Sequence, residues 1–149
     1  GFRDSFIGLV GSVMCIRDRV MVVGGGPAGM EAARVAAARG HRVTLFEASP
    51  HLGGALRFAA LVYEPNRRLL AWLTSQMETH DVDVRVSTAV TAAEVAAQHP
   101  DALIVAVGGS RETSTIPGAG GRHVVDGDDL RKILTGSGTG DATKGALGI

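Results

Sequence analysis

Six consecutive residues, Gly24-Gly25-Gly26-Pro27-Ala28-Gly29, carry the clearest chemistry in the sequence. They satisfy G-x-G-x-x-G, a weak pattern alone in a chain with 21 glycines. Here the context fits on three counts: an apolar strand pattern precedes it, a helical pattern comes after it, and the acidic Glu47 ends the next strand pattern. Gly24 permits a tight turn, Gly26 lets a pyrophosphate approach the backbone, and Gly29 lets the helix pack against the sheet. Free N–H groups and the helix dipole at the start of that helix hold negative charge. Glu47, 23 residues after Gly24, is placed to accept hydrogen bonds from ribose hydroxyls and to repel a 2′-phosphate. The ligand read from these residues is an adenine dinucleotide; the motif does not separate FAD from NAD, since both place an ADP half on the same unit.

Little else in the chain suggests chemistry. The serines lie in no nucleophile-elbow sequence. The five histidines, His41, His51, His80, His99 and His123, are scattered among expected turns and element ends. Only His51 neighbours the expected cofactor track. The single Cys15 excludes an internal disulfide and a multi-cysteine metal or iron–sulfur site within the chain. No catalytic residue and no metal ligand is expected; in a flavoenzyme the cofactor brings the redox chemistry and the protein brings position and electrostatics.

The elements that must position the loop are read from periodicity. Residues 19–23 read as a strand buried on both faces, the central strand of a parallel sheet. Pro27 to Arg39 reads as a helix, with Pro27 in its first turn, a small-residue face of Ala28, Ala32, Ala33, Ala36 and Ala37, and Gly40 as its stop. His41 to Glu47 is a second strand, completing a βαβ unit. Ala48 to Tyr63 reads as mostly loop, with a second glycine pair at Gly53-Gly54. Pro65 to His80 reads as a helix whose core stripe is Leu69, Leu70, Leu73 and Met77. Val82 to Val86 is a short strand. Thr91-Ala92-Ala93-Glu94 is a capping box before a short helix that ends near Gln98. Asp101 to Val107 reads as another buried strand. A turn at Pro117-Gly118, a brief extended piece at Val124-Val125 and a short helix from Asp128 to Leu134 complete the pattern.

The 149 residues suit one domain, and 45% hydrophobic content is enough for a packed core. Fifteen basic and 15 acidic residues cancel, which gives no support for a nucleic-acid partner. Near neutrality gives little colloidal protection and hints at burial against other protein. Apolar patches are broken well before about 18 residues, so no membrane span is expected. Residues 1–18 differ in character from the remainder of the chain. Phe6 to Ile16 is apolar, but no leader cleavage site accompanies it and Asp4 spoils a charged start; the segment stays unassigned. A cytoplasmic location is expected. Residues 136–149 read as a Gly-rich linker or frayed end.

From residue 19 to about 135 the sequence resembles the start of the FAD domain in two-dinucleotide flavoproteins. More closely, it resembles the C-terminal region of old-yellow-enzyme-like reductases, the group with dienoyl-CoA reductase and trimethylamine dehydrogenase. The resemblance rests on residues 22–33, on Glu47 followed by Leu52-Gly53-Gly54 and then Leu56, Arg57, Ala59 and Ala60, on residues 101–109, and on Ile116-Pro117-Gly118. The family's threonine after Ala106 is Val107 here. The fold implied is α/β: a Rossmann-like FAD/NAD(P)-binding domain with a mostly parallel sheet, present in part over 19–135. The implied cofactor is FAD, with Gly24, Gly26, Pro27, Ala28, Gly29, Glu47, Ala48, Gly54, Ala55, Arg57, Ala106, Val107 and Gly108 along it. In that family a flavin barrel with an iron–sulfur cluster precedes this region, and an NAD(P)H domain interrupts it. NAD(P)H, FMN and an iron–sulfur cluster would then bind outside this chain, on further domains or a partner subunit. The chain is thus expected to be the FAD-binding portion of an NAD(P)H-dependent flavin oxidoreductase, inactive alone. The alternatives are a non-catalytic NAD- or ADP-binding module and a structural remnant packed on a barrel partner.

Overall fold

A computed structural model of the chain describes residues 18–109, 116–119, 121 and 124–135. The β-branched run of β1 (Arg19–Val23) lies inside a four-stranded sheet with β2 (Arg42–Phe46), β3 (Asp83–Arg85) and β4 (Ala102–Val105), in the order β3-β2-β1-β4. Every pairing is parallel. Val20, Met21 and Val22 are buried, as an interior strand of a parallel sheet requires.

Register and helix packing agree. Val20 lies opposite Val43 and Val22 opposite Leu45, so these four side chains share one face. The helices α1 (Pro27–Ala38) and α3 (Glu64–Thr79) cover it with Met30, Ala33, Leu73 and Met77. The helix α1 starts with Pro27 in its first turn and ends before Gly40, whose φ is +91°. Ala33, Ala36 and Ala37 face the core together with the buried Met30, whereas Ala28 is exposed at the first turn. In α3, Leu73 and Met77 are core residues, but Leu69 is exposed. That narrows the expected stripe. Arg34 joins the two helices, held by the Glu31 carboxylate at 2.6 and 2.8 Å and lying 5.5 Å from the Trp72 ring centre. The Arg34 hydrogen bond holds the Glu31 carboxyl below its usual pKa.

Two expectations need correction. Residues 55–62 are not loop: Ala55–Val62 form the helix α2, packed on α3 and on α5 (Gly127–Thr135). The glycine pair before it is its N-terminal boundary, with Gly54 as N-cap. Burial of the strand at 101–107 is also not observed. It is an edge strand of four residues, and Leu103, Val105 and Val107 are 44%, 64% and 69% exposed. Continuous apolar character signals burial only when neighbours exist on both sides, and among the described residues β4 has one. The capping box is present: Thr91 and Glu94 exchange side-chain and backbone hydrogen bonds at the start of α4 (Ala92–Gln98). Val124 and Val125 have no regular structure, and the turn at Pro117-Gly118 is present. Residues 1–17 with Cys15, His123 and residues 136–149 lie outside the described residues. Among the described residues no helix is long and apolar enough to cross a membrane.

Candidate functional site

The three motif glycines have distinct reasons to be glycine. At Gly24 φ is +108°, and a first side-chain carbon there would overlap the Ala106 carbonyl and stand 2.9 Å from the Val107 nitrogen. At Gly29 the same atom would overlap the Gly24 carbonyl oxygen. Turn geometry and close packing therefore require these two. Gly26 is different. Its φ of −73° and ψ of 179° suit any residue, and a side chain there would meet nothing within 4 Å. Folding does not require glycine at this position.

The turn lies at the carboxyl ends of the strands. Gly24 N–H donates to Phe46 O at 2.8 Å, and the α1 ladder begins with Met30 N–H to Gly26 O at 2.9 Å. The N–H groups of Ala28 and Gly29 precede that first ladder bond, so no helical carbonyl serves them. Ala28 and Pro27 are exposed and Gly29 is buried.

Glu47 comes directly after β2 and is half-buried. Its Oε2 accepts the Gly25 N–H at 2.7 Å and its Oε1 accepts the Ser49 N–H at 2.7 Å. A carboxylate has about four lone-pair positions, so both oxygens retain acceptor capacity. The second glycine loop docks on the first: Gly53 N–H donates to Gly25 O at 2.8 Å, and Leu52 leans over Gly25. Gly54, with φ +48°, faces Gly26; a side chain at Gly54 would begin 3.3 Å from the Gly26 Cα. The stem of Arg57 packs over Gly53.

The structure thus brings together Gly24, Gly26, Gly29, Glu47, Gly54, Arg57 and Ala106. Ala48 and Ala55 flank them as exposed neighbours. Val107 contributes its backbone beside Gly24 while its side chain faces solvent, and Gly108 has open space around it. Three contributors were not foreseen: Gly25, which both Glu47 and the second loop hold, and the Leu52 and Ser49 contacts. The glycine motif treats its second position as free, so it gives no signal for Gly25. His51 is exposed, and its carbonyl accepts the Ser49 hydroxyl at 2.7 Å. His41 lies 3.4 Å from the Asp18 carboxylate. Among the described residues no cluster of three or more His, Cys, Asp or Glu could hold a metal. A hollow lined by Arg19, Met21, Arg42, Thr44 and Gln98 sits at the amino ends of the strands, away from the glycine turn.

Residues 19–78 match the family model of FAD dependent oxidoreductases. The chain is 41% identical over 135 residues to N,N-dimethylglycine/sarcosine dehydrogenase of Chromohalobacter salexigens, covering 88% of this chain and 18% of that protein. It belongs to the FAD/NAD(P)-binding oxidoreductase superfamily. This domain is related broadly to flavoprotein reductases. It is 41% identical over 112 residues to bilirubin reductase of Mediterraneibacter gnavus, covering 74% of this chain and 18% of that protein. Among solved structures, 2-naphthoyl-CoA reductase aligns with a TM-score of 0.74 and 32% identity over 84% of this chain and 19% of that one. The chain therefore spans less than a fifth of the length of these relatives.

Proposed function

We propose that residues 19–135 are the FAD-binding portion of an NAD(P)H-dependent flavin oxidoreductase of the old-yellow-enzyme-like group, holding the ADP half of FAD. The observation that carries this reading is Gly26, a glycine that neither backbone angle nor packing requires. Keeping a side chain out of that space serves a ligand that approaches the backbone, and the Ala28 and Gly29 amides beside it suit a pyrophosphate. Glu47, fixed by two backbone N–H groups, presents its remaining lone pairs to the ribose hydroxyls. Gly54, Ala55 and Arg57 follow the cofactor towards its riboflavin end, where the Arg57 fork suits a phosphate oxygen. Ala48 and the Ala106-Val107-Gly108 strand end border the same track.

A bound flavin would supply the hydride and electron transfer. The residues of this chain bind and orient it, and none is assigned a proton transfer. The names of the relatives, two of them reductases and one a dehydrogenase, support an oxidoreductase as the parent protein. On this reading NAD(P)H, FMN and an iron–sulfur cluster belong to other domains or a partner subunit, and this chain has no turnover of its own.

Calorimetry on the purified chain tests the reading. FAD and ADP should bind, and adenosine should bind far more weakly. Gly26→Val should abolish ADP binding while the circular dichroism stays that of the parent. Equal affinity for ADP and adenosine, or a folded Gly26→Val variant that binds as well as the parent, would overturn it.

A further inference from the structure

Ala106, directly after β4, lies behind the glycine turn, against Gly24 and on the side of Gly29 where a side chain would stand. Its N–H donates to Val23 O at 2.8 Å, which anchors it beside the last residue of β1. Its carbonyl lies so close to Gly24 that a side-chain carbon there would stand 2.6 Å from the Ala106 carbonyl carbon. Its methyl group is 3.4 Å from where a Gly29 side chain would begin. Gly29 in turn presses on the Gly24 carbonyl oxygen. These contacts form a column from the end of β4, through the turn after β1, to the first turn of α1. Nothing in the column can yield cheaply, because two of its members are already glycine and the third carries a single methyl group.

We infer that Ala106 is a positioning residue for the dinucleotide: the size of its side chain sets where the amides of Gly26, Ala28 and Gly29 point, and it does this from behind the turn. The inference rests on the proposed dinucleotide reading and deepens it. A larger residue at 106 pushes the start of α1 away from β4. The amides that would face a phosphate move with it, while Glu47, on β2's side of the turn, keeps its place. The loss should therefore fall on ligands that carry phosphate.

NMR titration of the full chain, which reads millimolar affinities, compares ADP with adenosine for the parent, Ala106→Val and Ala106→Ser. Overpacking in Ala106→Val should weaken ADP by about tenfold or more, leave adenosine nearly unchanged and keep the dispersed spectrum of a folded chain. Ala106→Ser, nearly isosteric, should weaken ADP far less than Ala106→Val does. If Ala106→Val fails to fold, the parent spectrum decides: ADP should shift the Ala106 and Val107 amides together with those of Ala28 and Gly29, and adenosine should not. The inference is overturned if Ala106→Val binds ADP as the parent does, if both ligands weaken in equal proportion, or if the Ala106 amide ignores ADP. A parent that binds adenosine and ADP equally would overturn the dinucleotide reading itself.

Discussion

The ribose contact proposed for Glu47 would draw on atoms that already hold the backbone. Both carboxylate oxygens already accept backbone N–H groups, from Gly25 and Ser49. Glu47→Gln keeps the shape but has a single acceptor oxygen, and its amide would point N–H at N–H. It should lose stability and weaken ADP binding, each by about 1–3 kcal/mol, while narrowing the preference for ADP over its 2′-phosphorylated form. Titrating both nucleotides against parent and variant measures this, and an unchanged ratio in a folded variant removes the assigned role. The glycines make a second prediction. Gly29→Ala drives a methyl group into the Gly24 carbonyl oxygen and should destabilise by about 1–3 kcal/mol. Gly26→Ala meets nothing, so its thermal melt should stay within about 0.5 kcal/mol of the parent while ADP affinity falls. Comparable melts for the two variants would contradict the distinction. At this scale the sequence was informative about Gly24 and Gly29, because a tight turn and a close helix approach are local demands that the structure shows at both. It was silent on Gly25, whose constraint arises from Leu52 and Glu47, residues brought over it by the fold.

Single elements depend on charged ends. Asp101 accepts the Arg19 N–H at 2.7 Å, which ties the entry of β4 to the start of β1 and holds the carboxyl below its usual range. Glu94 is held low in the same way, first by the Thr91 N–H and then by the Thr91 hydroxyl. A carboxyl with a depressed folded-state pKa stabilises fully above its unfolded value and loses that contribution as pH falls through the folded one. Stability should therefore decline from about pH 4 downward, and Asp101→Asn should flatten part of that decline. Melts of both proteins from pH 6 to about pH 2 check the sign. Thr91→Ala removes the capping box and should cost about 0.5–2 kcal/mol, read by chemical denaturation. The box, the βαβ unit and both long helices were legible in the sequence, since caps and apolar periods are local signals. Helix α2 was not, because a glycine pair at its start reads as loop and no residue of α2 is fully buried to mark a core face. The burial of β4 was misread for the complementary reason: the apolar run is local, but burial depends on neighbours supplied from elsewhere.

Across the whole sheet the two edges contrast. Strand β3 is three residues long and carries Asp83 and Arg85, which pair with each other at 2.8 Å. Such charged, short edges resist adding another strand. Strand β4 carries Ala102-Leu103-Ile104-Val105 with neither charge nor proline, and its outward apolar residues face solvent. The isolated chain should therefore associate with rising concentration, and Val105→Lys should reduce that association without lowering the melting temperature; sedimentation velocity at several concentrations decides. A chain that stays monomeric throughout would show that this edge is guarded in some other way. The same strand has a consequence in time. Gly24 and its floor, Ala106, are 82 residues apart in sequence, and the strands that bring them together pair in parallel, an arrangement that forms slowly because a long loop must close first. At roughly 5–20 residues per second of synthesis, the turn leaves the ribosome about 4–16 s before its floor does. Through that interval the nascent chain has the glycines of the turn without the packing that orients them, and the proposed dinucleotide would become bindable only when β4 arrives.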